Sequence, residues 1–153
     1  MTTDWMLEHI RDWSHAEAVA IVIWDKTRIE LLRTLGFPDW WKGCLPEEIT
    51  ECACGAVRDK AEMYLSTKLT SRGSFFVGNA TSHRKLHEGC PCREAGYESI
   101  VLVPLRASGD VVGVLQLCAR APYLWQKEDI FKFEALSAAL GIASRRTEKG
   151  TDE

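Results

Sequence analysis

Two apolar segments separated by a short polar turn constrain the fold of this chain more than any other feature of its sequence. Residues 99–106 (SIVLVPLR) and 110–119 (DVVGVLQLCA) are rich in β-branched residues, a composition typical of buried strands. The tripeptide Ala107-Ser108-Gly109 between them has the length and the glycine of a hairpin turn. The two segments therefore predict an antiparallel pair of strands.

Three further segments predict strands. Residues 18–24 (AVAIVIW) form a short apolar run typical of a buried strand, closed by the polar pair Asp25-Lys26. Residues 28–35 (RIELLRTL) follow directly, and this position favours a hairpin partner strand, although the leucines would also suit a helix. The third candidate lies in residues 71–78, which contain SFFV.

Helices are predicted at both ends of the chain. Residues 2–15 place apolar side chains at helical spacing, and residues 126–146 have a longer apolar stripe. Between them, residues 47–63 and 79–88 favour helices, and residues 89–96 are rich in turn-forming residues. Antiparallel hairpins with segregated helices predict the α+β class.

The size and charge of the chain exclude several classes of protein. Its 153 residues suit a single domain, which we place at residues 1–148 with a flexible tail at residues 149–153. A net charge of −3 gives no overall basic character to attract nucleic acid. No apolar run reaches the roughly 18 residues of a membrane span, and the polar, acidic start does not resemble a signal peptide. We therefore expect a cytoplasmic protein that binds neither nucleic acid nor a membrane.

Six cysteines are many for a chain of this length. In a reducing cytosol, cysteines are more often thiols, metal ligands or redox switches than structural disulfides. Four of the six form two C-x-C pairs, at residues 52–54 and 90–92, and the other two, Cys44 and Cys118, are predicted to be structural. The two pairs are the best candidates for a site with its own chemistry.

Several motifs resemble those of GAF domains. Residues 96–120 (GYESIVLVPLRASGDVVGVLQLCAR) match the penultimate hairpin of that family, and Cys54-Gly55-x-Val57 matches a helix start that is common in it. The likeness continues through residues 125–144 and covers nearly the whole chain. The resemblance implies an α+β fold, with a central antiparallel sheet and the N- and C-terminal helices packed on one face.

A closer likeness is to the cysteine-containing GAF modules associated with bacterial sensor histidine kinases. These show E-C-x-C-G, G-S-F-x-x-x-N-x-T and C-x-x-x-G-Y-E-S, which stand here at residues 51–55, 73–81 and 92–99. The resemblance implies signal sensing in a two-component system, with a small-molecule or redox ligand. It also implies a homodimer through the terminal helices and a histidine kinase or other output domain as partner. The signatures of cyclic-nucleotide and bilin binding are missing, so neither ligand is expected.

The resemblance also places both cysteine pairs near one cavity, where four thiolates would hold zinc or an iron–sulfur cluster. The expected cofactor-binding residues are Cys52, Cys54, Cys90 and Cys92. Two histidines, His83 and His87, are spaced i, i+4. On a helix they would share a face and complete a mixed metal site. Residues i and i+2 of a helix point about 200° apart, so this site needs the helix to begin near Cys54.

Other chemistries of the cysteines remain open. A thiol redox switch is favoured by the expected position of Cys54 at a helix start, where the helix dipole stabilises a thiolate, and by Arg93 beside Cys92. The dipeptide Cys90-Pro91 also occurs in haem-responsive motifs. The cysteines would otherwise be small buried side chains without special chemistry.

We expect a sensor domain rather than an enzyme. The alternative is a thiol enzyme similar to the free methionine-(R)-sulfoxide reductases, which are stand-alone GAF domains with a nucleophilic and a resolving cysteine around the same pocket. Those enzymes carry acidic residues in an L-D-I-D-S pattern on the last strand, whereas residues 115–119 are LQLCA here. A dimerisation module without a cofactor is the third alternative.

Overall fold

The computed structural model describes residues 3–25, 28–42, 54, 57, 69–82 and 91–151. Within these residues the chain forms five strands, with one long helix before the sheet and another after it. In chain order the elements are α1 (Thr3–Ser14), β1 (Ala18–Asp25), β2 (Arg28–Leu35), β3 (Phe75–Val77), a 3₁₀ helix (Ala80–Ser82), α2 (Pro91–Glu94), β4 (Ser99–Ala107), β5 (Asp110–Ala119) and α3 (Lys127–Thr151).

The five strands pair antiparallel in one sheet, in the order β2-β1-β5-β4-β3. Two of these pairs, β1–β2 and β4–β5, are the predicted hairpins. In the second hairpin Ala107 pairs with Asp110, so Ser108 and Gly109 alone form the turn. Both have positive φ, 53° and 88°, the type I′ geometry that matches the twist of the strands. Strand β5 therefore lies at the centre of the sheet, between β1 and β4.

Side chains of the strands alternate between two buried faces of the sheet. On one face, here called the helix face, α1 and α3 pack against the strands; its core includes Leu7, Ile10, Val19, Ile21, Val101, Val103, Leu115, Leu117, Ile130 and Phe133. The opposite face, here called the cysteine face, includes Ala20, Val22, Trp41, Cys54, Phe75, Cys92, Tyr97, Leu102, Val114 and Cys118. The predicted α+β arrangement, with both terminal helices on one face, is confirmed.

Polar contacts supplement the apolar packing of α3. Ser137 Oγ donates to the carbonyl of Pro104 in β4 at 2.5 Å, and Trp125 Nε1, just before the helix, donates to the carbonyl of Ser14 at 2.8 Å. The second contact joins the start of α3 to the end of α1. Among the described helices, none combines the length and the apolar character that crossing a membrane requires.

The helical segments differ from the sequence-based expectation in two places. Within the turn-rich residues 89–96, the chain forms α2, because Pro91 has a fixed φ that suits a first helical turn. Helix α3 continues to Thr151, beyond the predicted end at residue 146, through the segment TEKGT, in which only Glu148 and Lys149 favour helix. The helix predicted at residues 47–63 lies mostly outside the described residues, and the proposed tail at residues 149–153 stays a prediction.

Candidate functional site

The structure describes two of the six residues predicted to bind a cofactor or metal. Cys54 and Cys92 are buried on the cysteine face. The other four lie outside the described residues: Cys52, His83, His87 and Cys90. The two cysteine pairs are predicted to meet at one cavity, and the structure describes one thiol from each pair.

Strand β5 contributes two more side chains to the cysteine face. Its alternation directs Leu115 and Leu117 to the helix face and Gln116 and Cys118 to the opposite side. Pairing with both β1 and β4 holds this part of β5 at the middle of the sheet. Gln116 is only 1% exposed, so its amide must find hydrogen-bond partners inside the protein.

The Gln116 amide finds those partners in the two described cysteines. Its Nε2 donates to Cys54 Sγ at 3.5 Å, and its Oε1 accepts from Cys92 Sγ at 3.8 Å. Cys118 Sγ donates in turn to Cys92 Sγ at 3.8 Å. We call Cys54, Cys92, Gln116 and Cys118 the thiol–amide cluster. It brings one cysteine from each C-x-C pair to a single buried site.

The side chains of this cluster differ from the usual ligands of a metal centre. In the part of the chain that the structure describes, no group of three or more His, Cys, Asp or Glu residues is arranged to hold a metal. Zinc and iron–sulfur sites use thiolate, imidazole or carboxylate ligands, whereas a neutral amide contacts both Cys54 and Cys92 here. Metal binding therefore stays a prediction that depends on Cys52 and Cys90.

Cys92 is positioned by the one-turn helix α2. Ala95 N donates to the carbonyl of Pro91 at 3.0 Å, and Tyr97 N donates to the carbonyl of Cys92 at 3.3 Å. Gly96 ends the turn with φ of 84°, a left-handed conformation that glycine adopts without strain. The backbone of Cys92 is thereby linked directly to that of Tyr97.

Tyr97 is buried beside the cluster. Its hydroxyl donates to the carbonyl of Gly36 at 3.5 Å, and the guanidinium carbon of Arg120 lies 4.9 Å from its ring centroid. Burial raises the pKa of Tyr97 to about 12; negative charge at Cys118 and Cys92 acts in the same direction, and the positive charge of Arg120 opposes it. The phenol is therefore neutral at physiological pH.

Arg120 links this region to the connection between α1 and β1 through Glu17. Its backbone N and its Nη1 donate to the two carboxylate oxygens of Glu17 at 3.1 and 3.0 Å. The backbone N of Glu17 also donates to the carbonyl of Cys118 at 2.9 Å. Exposed ion pairs stabilise a fold only slightly. The Arg120–Glu17 pair matters for its position, because Glu17 lies in the connection between α1 and β1.

Two tryptophans associated with the cysteine face have buried indole nitrogens that make no hydrogen bond in the described structure, Trp24 and Trp41. The ring of Trp41 stacks on Phe37, with ring centroids 3.9 Å apart and an interplanar angle of 13°. An unpaired buried N–H costs about 1–3 kcal/mol. Each of these indole N–H groups is therefore an unused donor within the part of the chain that the structure describes.

Comparison with known families identifies the fold. The family model described as GAF domain matches residues 4–143, which is most of the chain. The chain belongs to the GAF domain family. No curated protein sequence matches it significantly.

Solved GAF structures show the same architecture at low sequence identity. The GAF domain of a two-component sensor histidine kinase from Bacillus halodurans has 17% identity and a TM-score of 0.69, with 99% of each chain covered. A GAF domain from an Acinetobacter phosphoenolpyruvate-protein phosphotransferase has 19% identity and a TM-score of 0.68, covering 98% of this chain and 84% of that one.

An enzyme also shares the GAF architecture. The free methionine-R-sulfoxide reductase from Neisseria meningitidis, solved with its substrate, has 18% identity and a TM-score of 0.67, covering 93% of this chain and 77% of that one. At such identities the likeness establishes the fold alone. Regulatory and enzymatic neighbours occur together, so the side chains of the site must decide between these functions.

Sequence reasoning selected Cys54 and Cys92 in this GAF domain but missed Gln116. It interpreted Cys118 as structural and did not predict that its sulfur lies 3.8 Å from that of Cys92. One signal was available, because strand alternation directs residues 116 and 118 to the same face. The side chains that contact residues 116 and 118, however, come from distant segments whose positions no local sequence pattern predicts.

Proposed function

We propose that this GAF domain is a cytoplasmic sensory module whose thiol–amide cluster detects a redox signal and whose terminal helices transmit the change to a kinase-type output domain. The observation that supports this most directly is the Gln116 amide, which contacts Cys54 at one end and Cys92 at the other. Oxidation of either thiol removes or alters a hydrogen bond to the central strand. A chemical event in the cluster would therefore act on the sheet itself.

Thiol chemistry fits the described contacts better than a metal centre does. Cys92 contacts a neutral amide and a second thiol, both of which suit a protonated or oxidised sulfur. Zinc or an iron–sulfur cluster bound through Cys52 and Cys90 is the alternative, and haem at Cys90 is another. Anaerobic purification followed by absorption spectroscopy and metal analysis separates them: we expect a colourless, metal-free protein, and stoichiometric metal or haem would contradict the redox proposal.

The two faces of β5 provide a route for transmission. Gln116 lies between Leu115 and Leu117, which belong to the core formed with α1 and α3. Because protein cores are close-packed, a shift of β5 toward or away from the cluster must be accommodated on the helix face. Such coupling requires that reduced and oxidised clusters favour different helix arrangements.

The terminal helices also have features of an interface between two copies of the chain. Large aromatic side chains are exposed on α1 and α3, namely Trp5, Trp13 and Phe131. Exposed aromatic residues are enriched in protein interfaces. We therefore include a homodimer through the terminal helices in the proposal.

A small-molecule input is compatible with the same face. The unpaired indole N–H groups of Trp24 and Trp41 suit an acceptor such as a carbonyl or carboxylate oxygen. Such a ligand would adjust the sensor rather than replace its thiol chemistry.

Hydrogen–deuterium exchange of the 153-residue chain tests the proposal. We expect peroxide treatment to change exchange in α1 and in the first half of α3, because both helices pack on the strands that contain the cluster. Cys92→Ala should abolish this change. Cys44→Ala, which removes a cysteine outside the described residues, should retain it. Equal exchange of the helices in reduced and oxidised protein would contradict sensory transmission.

The second candidate function is a methionine sulfoxide reductase. It is favoured by the common partner of Cys54 and Cys92, because the reductase resemblance points to Cys54 and to the segment that contains Cys90 and Cys92. Against it, β5 has Gln116 and Cys118 where those enzymes carry acids, so the strand supplies no proton donor of that kind. We expect no thiol-dependent consumption of free methionine-(R)-sulfoxide. Catalytic turnover, abolished by Cys92→Ala, would favour the enzyme instead.

A further inference from the structure

Cys118 contacts Cys92 more directly than the sequence suggested. The two sulfurs lie 3.8 Å apart, close to van der Waals contact. Cys92 is 6% exposed and Cys118 is fully buried. The two thiols thus differ in access although they touch.

We infer that Cys92 and Cys118 form a reversible dithiol–disulfide pair, with a hydroperoxide as the oxidant. This inference rests on the proposed redox function and specifies which thiols react. Cys92, the more exposed of the two, attacks the peroxide first. Cys118 then resolves the oxidised sulfur.

The chemistry balances in two steps. The Cys92 sulfur attacks one peroxide oxygen, the O–O bond breaks, and the leaving alkoxide or hydroxide takes the thiol proton, so that Cys92 becomes a sulfenic acid. The Cys118 sulfur then attacks the Cys92 sulfur, the S–O bond breaks, and the hydroxyl group leaves as water with the proton of Cys118. Two thiols lose two electrons, and the peroxide gains them.

The Gln116 amide explains why Cys92 pairs with Cys118 rather than with Cys54. The amide contacts Cys54 through Nε2 and Cys92 through Oε1. A bond between those two sulfurs would displace a buried amide from both of its partners. No such displacement is needed for Cys118, which already contacts Cys92.

The two cysteines also differ in the secondary structure that holds their backbones. Cys118 lies on β5, paired with Ala18 of β1 on one side and Ile100 of β4 on the other. Cys92 lies on the single turn of α2. Closing the sulfur separation from 3.8 Å to the about 2.05 Å of a disulfide therefore draws α2 toward the sheet.

Movement of α2 has a defined route to α1. Tyr97 follows α2 and its backbone donates to Cys92, its ring contacts Arg120, and Arg120 binds Glu17 in the connection between α1 and β1. The backbone of Glu17 donates to the carbonyl of Cys118. The disulfide would thus tighten a closed set of contacts that includes the connection following α1.

Disulfide mapping of the whole chain tests the pair. Reduced protein is treated with one equivalent of hydrogen peroxide, blocked, digested without reductant and analysed by mass spectrometry. We expect one crosslink, joining Cys92 to Cys118, with Cys90 on the same peptide recovered in its blocked form, and its reversal by dithiothreitol. A predominant crosslink between any other cysteines, or no disulfide, overturns the inference.

Trapping of the sulfenic acid tests the order of the steps. In Cys118→Ala, and in the better-filled Cys118→Val, Cys92 has no resolving partner, so its dimedone adduct should rise at least about tenfold over the native chain. Cys44→Ala is the matched control and should show no rise. Thermal unfolding followed by circular dichroism verifies that each variant is folded. An adduct predominantly on Cys54, or none on Cys92, contradicts the assignment.

The outcomes distinguish this inference from the proposed function. Altered exchange of the helices with a crosslink between other cysteines leaves redox sensing intact and removes the Cys92–Cys118 pair. The expected crosslink without any change in the helices establishes the pair and removes sensory transmission.

Discussion

Gln116 is the residue on which the organisation of the site depends. Its neutral amide satisfies one thiol with a donor and another with an acceptor, which no carboxylate or hydrocarbon side chain can do. Because the residue is buried on the central strand, its replacement cannot be compensated by solvent. A substitution that introduces a charged side chain at position 116 is therefore the most informative perturbation of the cluster.

We expect Gln116→Glu to make the stability of the domain depend on pH. Burial raises the pKa of the new carboxyl above the about 4.3 of an unfolded glutamate, so the folded state binds the proton more tightly. The variant is therefore most stable at low pH and loses stability as the pH rises toward the folded-state pKa. The loss is about 1.4 kcal/mol for each unit of the shift. Urea unfolding at several pH values, relative to the native chain, measures it.

The control for this experiment is Gln116→Met. It removes both hydrogen bonds of the amide but introduces no titratable group. Its deficit in unfolding free energy should be the same at each pH. A pH-independent deficit for Gln116→Glu as well would mean that position 116 is solvated, contrary to the buried cluster.

At the scale of elements, α3 is fixed to the segment that leads into β3 by a buried carboxylate. Glu134 Oε2 accepts from Ser74 Oγ at 2.6 Å and from Thr70 Oγ1 at 2.7 Å. The backbone of Ser74 also donates to Thr70 Oγ1 at 3.0 Å. The two bonds to Glu134 join residues 60 and 64 positions apart, so they position the last helix relative to an edge strand.

A double-mutant cycle tests this link. We expect Ser74→Ala and Glu134→Ala each to lower the unfolding free energy by about 1–3 kcal/mol, because the first removes a hydrogen bond to a buried carboxylate and the second leaves the buried Ser74 hydroxyl without its acceptor. The double variant should lose less than the sum, with a coupling of about 1.5–3 kcal/mol, as for hydrogen bonds to charged groups. Denaturant unfolding of the four proteins supplies the values.

Ser137→Ala provides the matched comparison on the same helix. Ser137 donates to the carbonyl of Pro104 and shares no partner with Ser74. The two serine substitutions should therefore be additive within about 0.5 kcal/mol. A coupling between Ser74 and Ser137 as large as that between Ser74 and Glu134 would indicate that the substitutions weaken α3 in general rather than break a specific bond.

For the whole molecule, the central sheet separates the cysteine face from the helix face. The cysteine face contains the cluster and the unpaired indoles, while the helix face contains α1 and α3. The same strands form both faces, so neither can be altered independently. This is the physical basis for expecting a sensor whose output lies in its terminal helices.

A charge on the exposed surface of α1 tests the proposed dimer. Trp5 is 51% exposed, and we expect Trp5→Glu to weaken self-association at least about tenfold, because it places a carboxylate in an apolar contact. Trp40 is 55% exposed and precedes Trp41 of the cysteine face, so Trp40→Glu should leave association unchanged. Sedimentation analysis measures the dissociation constants. A native chain that is monomeric at all concentrations, or equal effects of both substitutions, would refute the dimer.

The strands and the two hairpins were predictable because their signals are local. Alternation, β-branched composition and the Ser108-Gly109 turn determine which side chains share a face and which strands form hairpins. The start of α2 at Pro91 was missed because the turn-forming residues around it also suit a short helix. Similarly, helix propensity alone did not define the end of α3.

By itself, the sequence determined the fold class and the two hairpins, and it included Cys54 and Cys92 among six candidate site residues. Only the tertiary structure decided that Gln116 bridges these cysteines and that Cys118 contacts Cys92. The bonds of the cluster join residues 24 to 62 positions apart in the chain. No local pattern encodes such distances, because they follow from how the central strand pairs with its neighbours and how α2 is placed against it.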